Sequence, residues 1–317
     1  MRRLALPIVA ALSAVLGSGP AAAQDAGGAA FTADSGPARA LEAPSDTRPR
    51  TQKFWWSDDW FERGQLEVPA NHQVERRAVS YTNPTDKTEV PALLFRPTSA
   101  GRFPAVLFAH GRRGLDDQTT YLPLRLAARG FVVLAPQVHE ARFIEAMPIA
   151  HDKATEGDIG TGLDFLLSLP DVSTSRACLA SHTRGGYLTL MAAVDQSRQG
   201  RQVACYLSYY PHWQNPAAGE PEQVYRYAAE VDRLEIPVLV MIGELEQYQR
   251  RRSIETGIAA LKAKGRDARL IIYPGVGRGF DFRGPQVRTF ADDLATKDSV
   301  MRAAEFMGRH LAPHIGR

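Results

Sequence analysis

Two short runs constrain this chain most: residues 104–110 (PAVLFAH) and 131–135 (FVVLA), apolar almost without interruption. A strand with one wet face alternates apolar and polar residues. A continuously apolar strand must be covered on both faces, as happens when helices pack on both sides of a parallel sheet. Residues 177–181, 203–208, 237–243 and 268–273 read as four further strands, and 74–82 with 88–96, around the turn NPTDK, as an antiparallel hairpin. Helices fit at 121–129, along the stripe Ile159, Leu163, Leu166 and Leu167 that stops at Pro170, and at 185–194, 253–264 and 297–311. Eight strands, all but the hairpin separated by helices, predict one α/β domain with a mostly parallel sheet, over residues 67–317.

The N-terminal segment reads differently. Arg2 and Arg3 precede an uncharged, mostly apolar run at residues 4–17, and Ala21 and Ala23 occupy the small positions of an A-x-A cleavage site. That run is too short for the ~20 residues of a membrane span, so residues 1–23 are expected to be a signal peptide. The product is expected in the periplasm or outside the cell, without membrane insertion after cleavage. Residues 24–66 form an arm rich in Ala, Gly, Pro and Ser, ending in Phe54, Trp55, Trp56, Trp60 and Phe61. Those aromatics read either as a clasp on the domain or as a docking patch for a protein partner.

Composition narrows the function classes. A net charge of +3 from 38 basic and 35 acidic residues is too small for a dedicated nucleic-acid binder. Two cysteines exclude a cysteine zinc framework, and no histidine pair has H-E-x-x-H spacing. Neither metal nor cofactor is expected.

Sites in such sheets lie at the carboxyl ends of strands. After ACLA comes Ser181-His182-Thr183-Arg184-Gly185-Gly186 and then a helix, the strand–turn–helix setting of a nucleophile elbow. With PAVLFAHGRRGL, LAARGFVVLAP, PVLVMIGELE and ARLIIYPGVGRGFDF in the same order, the chain resembles the dienelactone hydrolase family of α/β-hydrolases over roughly residues 74–310. The resemblance implies an α/β-hydrolase fold and a triad of an elbow nucleophile, a His and an acid, acting on carboxylic esters or lactones. It also carries over three positions at which this sequence departs from the family. Thr183 stands at the nucleophile position, a β-branched residue where a positive φ is required. Arg278, in Gly275-Val276-Gly277-Arg278-Gly279-Phe280, stands where the family has its His. A guanidinium has no free lone pair and cannot act as a base near neutrality. Glu246 matches the acid and would pair with Arg278 instead of orienting an imidazole.

The resemblance places backbone donors of an oxyanion site at Arg112 and Arg184. His110, His182 and His212 fall on the same sheet edge as candidate ligand-binding groups or replacement bases. Arg112, Arg113, Arg184 and Arg278 would together suit a small anion. Cys178 and Cys205 sit on strands that neighbour each other in this fold. Export permits a bridge, whereas disulfide geometry and the frequency of buried free cysteines favour two thiols. The leading expectation is an exported relative without triad catalysis that keeps a pocket for a ligand or partner. The alternatives are an ester or lactone hydrolase using Thr183 with a different base, and a structural component of an exported assembly.

Overall fold

The computed structural model describes residues 72–284 and 286–316; the proposed signal peptide, the arm and the aromatic cluster lie outside the described residues. Eight strands form one sheet in the order β1-β2-β4-β3-β5-β6-β7-β8. They are β1 (Val74–Thr82), β2 (Glu89–Pro97), β3 (Phe103–Ala109), β4 (Val132–Pro136), β5 (Val172–His182), β6 (Val203–Tyr209), β7 (Val238–Gly243) and β8 (Ala268–Tyr273). β2 pairs antiparallel with both β1 and β4, and every other pairing is parallel.

The interior strands are dry, as their apolar runs require: every residue of β4, β6 and β7 is buried. Helices supply the covering layers: α1 (Tyr121–Ala128), α2 (Val138–Ala141), α3 (Ala154–Ser168), α4 (Gly185–Leu190), α5 (Glu220–Tyr225), α6 (Tyr248–Ala263) and α7 (Phe290–Leu311). α3 buries Ile159, Leu163 and Leu166 of the predicted stripe completely and leaves its fourth residue, Leu167, half-buried. α7 starts seven residues earlier than the pattern implies, because Thr289 and Asp292 close a reciprocal capping box at its N-terminus. The helix after β5 tightens only to Leu190 and continues as one π-helical turn, Met191–Asp195. Among the described residues no helix is long and apolar enough to cross a membrane.

The chain reverses direction across the sheet at β3. From β3 it moves to β4 on one side, then returns to β5 on the other. Such a switch point opens a crevice at the carboxyl ends of the two strands, where loops leave in opposite directions. Here those ends are His110 and Thr183.

Cys178 and Cys205 are bridged, with Cα atoms 4.7 Å apart. The expectation of two thiols fails on a local irregularity. Ala177 pairs with Val203 but Cys178 with Cys205, so Ala204 is an extra residue on β6. That bulge brings the two cysteines directly opposite each other.

Candidate active site at the elbow after strand β5

The turn after β5 is held in elbow geometry. Thr183 has φ +48°, a conformation that costs a β-branched residue ~1–3 kcal/mol. Three backbone hydrogen bonds enforce it: Thr183 N–H donates to Tyr209 O (3.2 Å), and Thr183 O accepts from Gly186 N–H (3.0 Å) and His212 N–H (2.8 Å). Glycine is required next to it because the backbones nearly touch. A Cβ on Gly185 would lie 2.2 Å from Ala109 O, and one on Gly111 would lie 1.8 Å from Thr183 Oγ1. The Thr183 hydroxyl therefore faces the loop that leaves β3.

Glu246 and Arg278 come from the loops after β7 and β8. Arg278 Nη1 lies 2.9 Å from Glu246 Oε2, and the carboxylate is fully buried. Arg278 Nη2 donates to Tyr210 O at 2.7 Å, and the guanidinium sits 5.2 Å above the Tyr210 ring. Glu246 Oε1 accepts from Gln247 N–H at 2.9 Å. Arg278 is thus anchored by a carboxylate, a carbonyl and an aromatic face.

The remaining candidates separate. Arg113 pairs with Asp116 and is half-exposed, so it does not join the other guanidiniums. Arg250, in the first turn of α6, joins them instead and donates to Gln214 Oε1. Burial, and then the neighbouring Arg278, lower Arg250 to about 10 against the opposing effect of Glu246. Burial and Arg112 likewise lower Arg184 to about 10. His212 is held well below its ordinary value by burial and by the charges of Arg278, Arg250, Arg184 and Arg112, so its imidazole is neutral at pH 7. Sequence pattern singled out four arginines, of which three assemble; Arg250 carried no signal beyond lying just after Glu246.

His182 is committed elsewhere. Its Nε2 lies 2.8 Å from Asp281 Oδ2, and both side chains are buried. Tyr210 Oη donates to the other Asp281 oxygen. Burial alone would raise Asp281, but the His182 charge, its hydrogen bond and that of Tyr210 outweigh it and hold the carboxyl below its usual range. His182 is therefore not among the residues lining the cavity beside the elbow, contrary to its expected ligand-binding place. Asp281 was missed, although GRGFDF carries an acid between two aromatics, which is itself a signal for a buried partnered carboxylate.

His110 does line that cavity, which measures about 170 Å³. Its Nδ1 lies 2.8 Å from Gly111 O, which requires the proton on Nδ1 and leaves a lone pair on Nε2. Burial, and then His139, push His110 down to about 4. The guanidiniums of Arg112 and Arg184 grip carbonyls of the loop preceding α3. Among the described residues no group of three or more His, Cys, Asp or Glu is placed to hold a metal ion.

An antiparallel entry into a parallel sheet, an elbow at the switch point and facing loops after β7 and β8 define an α/β-hydrolase-class structure. A family model for the dienelactone hydrolases matches residues 90–311, and the chain belongs to the dienelactone hydrolase family. It is 27% identical over 229 residues to a protein of Escherichia coli O157:H7 named "Putative carboxymethylenebutenolidase", spanning 66% of this chain and 80% of that one. A protein of the same name from Synechocystis is 21% identical over 222 residues, covering 65% and 87%. Among solved structures, brefeldin A esterase superposes with a TM-score of 0.59 at 17% identity, covering 79% of this chain and 81% of that one. A "Putative Dienelactone Hydrolase" from Klebsiella pneumoniae gives 0.58 at 19% identity, covering 76% and 100%. At these identities the structural likenesses bear on the fold alone.

Proposed function

We propose that this chain is an exported dienelactone hydrolase-like protein that has lost triad-based hydrolysis and keeps a pocket for a small ligand. One observation carries the reading: Arg278, not an imidazole, lies 2.9 Å from Glu246. Acyl transfer needs a group that takes the nucleophile's proton and later returns it. A guanidinium, protonated up to pH ~12 or beyond, does neither. The support for export is the basic start, apolar run and A-x-A site of residues 1–23.

A second reading has its own observation. Thr183 is still held at φ +48°, the conformation of a working elbow, and the neutral His212 is tied to it through the backbone at 2.8 Å. An ester hydrolase using Thr183 with His212 as base would keep those features. Hydrolysis of p-nitrophenyl acetate and butyrate by wild type and by Thr183→Ala separates the two. Equal rates and no covalent labelling by a fluorophosphonate are expected. A wild-type rate ~10²-fold or more above the variant, within the range a positioned base supplies, would establish the second reading instead.

A further inference from the structure

The loop between α2 and α3, residues 142–153, is held down in an unusual way. Arg112 Nε donates to Pro148 O (2.7 Å) and its Nη2 to Met147 O (2.8 Å). Arg184 donates to Ala150 O (2.7 Å), Ile149 O (3.0 Å) and Pro148 O (3.2 Å). Four consecutive carbonyls thus rest on two guanidiniums. Among the described residues neither guanidinium has a carboxylate in ion-pair contact. The loop's apolar side chains add little grip: Phe143 is 96% and Ile149 89% exposed. Phe143 and Met147 also sit at φ +53° and +62°. Arg142 is fixed at its start by two contacts to the buried Asp158 carboxylate, at 2.6 and 2.9 Å, and His151 by Glu156. The part between, residues 143–150, is fastened by polar contacts, strained and poorly packed, and opens at low cost.

Beneath the loop lies the 170 Å³ cavity, with Ile144, Pro148 and Leu188 as apolar walls. Three residues of its lining carry a buried polar atom with no hydrogen-bond partner: His110 at the Nε2 lone pair, His139 at Nδ1 and Arg184 at Nε–H. His110 is only 2% exposed. Each such atom is destabilising while it stays unpaired. The lining carboxylate, Asp152, is exposed and accepts from Ala154 N–H at 2.9 Å, and His151 is paired with Glu156 at 2.7 Å. Neither neutralises Arg112 or Arg184.

These groups define a ligand. The two guanidiniums call for an oxyanion, which would take over the place of the loop carbonyls. The His110 lone pair calls for a hydroxyl donor, and would face an oxygen lone pair if the ligand were a bare carboxylate. The walls leave room for a short hydrocarbon body. We propose that this cavity binds a small hydroxycarboxylate, its carboxylate on Arg184 and its hydroxyl donating to His110 Nε2, admitted by lifting residues 143–150. This deepens the binding reading above by naming the ligand of the pocket. It is tested by equilibrium binding of molecules that contain no ester, so its outcome is separate from that of the hydrolysis assay.

The experiment is calorimetric titration of the full-length mature protein with lactate, propionate, lactamide and inorganic phosphate. Lactate should bind about tenfold or more tightly than propionate, which lacks the hydroxyl, and than lactamide, which lacks the charge. Phosphate should bind more weakly than lactate, because it has no body for the apolar walls. Arg184→Gln should abolish lactate binding, and His110→Leu should erase the preference for lactate over propionate. If His110→Leu does not fold, the wild-type ligand series decides alone. No lactate binding, propionate equal to lactate, or lactate binding unchanged in Arg184→Gln would each overturn the proposal.

Discussion

Two side-chain pairs, one fully and one partly buried, flank the elbow, and they are built from opposite materials. On one side His182 and Asp281 make the imidazole–carboxylate contact that a hydrolase needs, at 2.8 Å. On the other, Arg278 and Glu246, from the loops after β8 and β7, make a guanidinium–carboxylate contact at 2.9 Å. The first pair has the right chemistry in the wrong place. His182 ends β5 with its ring stacked on Tyr210 and packed against Phe108 and Phe282, whereas the next residue turns its hydroxyl toward Gly111. The second pair holds no imidazole, and its guanidinium has no free lone pair with which to take a proton. Residue types within a few positions of a hydroxyl do not make a triad; the direction imposed by the strand and its turn does.

Breaking the first pair should have the largest effect. Asp281→Ala leaves His182 and Tyr210 without their buried partner and should cost ~3–5 kcal/mol in urea unfolding, with no change in ester hydrolysis. The folded Asp281 carboxyl is held below its ordinary value. Its contribution is therefore present above the ordinary carboxylate range and is lost as pH falls through the folded value, so the wild-type advantage over the variant should shrink in acid. A constant difference from pH 7 down to acid unfolding would show that the carboxylate is not the stabilising form.

Next comes the bridge beneath both pairs, which joins β5 to β6 across 27 residues. Replacing Cys178 and Cys205 by Ala should lower stability by about 3 kcal/mol, mainly by releasing the unfolded chain. Free-thiol titration of the denatured, unreduced protein checks the premise, and two reactive thiols would remove it.

The second pair is expected to be worth less than the first. Glu246 is buried but Arg278 is 23% exposed, so Arg278→Ala should cost about 2 kcal/mol, between the buried and the surface regimes. With Glu246→Ala the double variant should cost less than the sum; strict additivity would mean that the two groups do not interact.

The smallest change sharpens the comparison at the elbow itself. Thr183→Gly removes a β-branched residue from φ +48° and should stabilise the protein by about 1 kcal/mol, strain relief outweighing glycine's entropy. A clear loss of stability would show that the Thr183 side chain contributes more packing than strain.

Apolar runs, with the NPTDK turn for the β1–β2 hairpin, were enough to place every strand to within a few residues, except that β5 begins five residues before the predicted start. Dry strands have no other environment in which to sit. The elbow was legible from strand, glycine pair and helix, because only glycine fits against Ala109 and Pro211. Thr183, Glu246 and Arg278 were located by the order of motifs along the resembling segments. What could not be read depended on distances between segments remote in sequence. His182 and Asp281 are 99 residues apart, and no local pattern links them. The cysteine bridge turned on one extra residue in β6, invisible until the β5–β6 register exists. Arg250 enters the charged cluster only because α6 starts beside Glu246. The grip of Arg112 and Arg184 on the 147–150 carbonyls depends on how that loop closes. Local sequence determines which segments are strand, helix or turn, because periodicity and steric limits act within a few residues. Which side chains meet in the crevice was decided by the tertiary structure, because contact there is set by register, bulges and loop closure across the whole sheet.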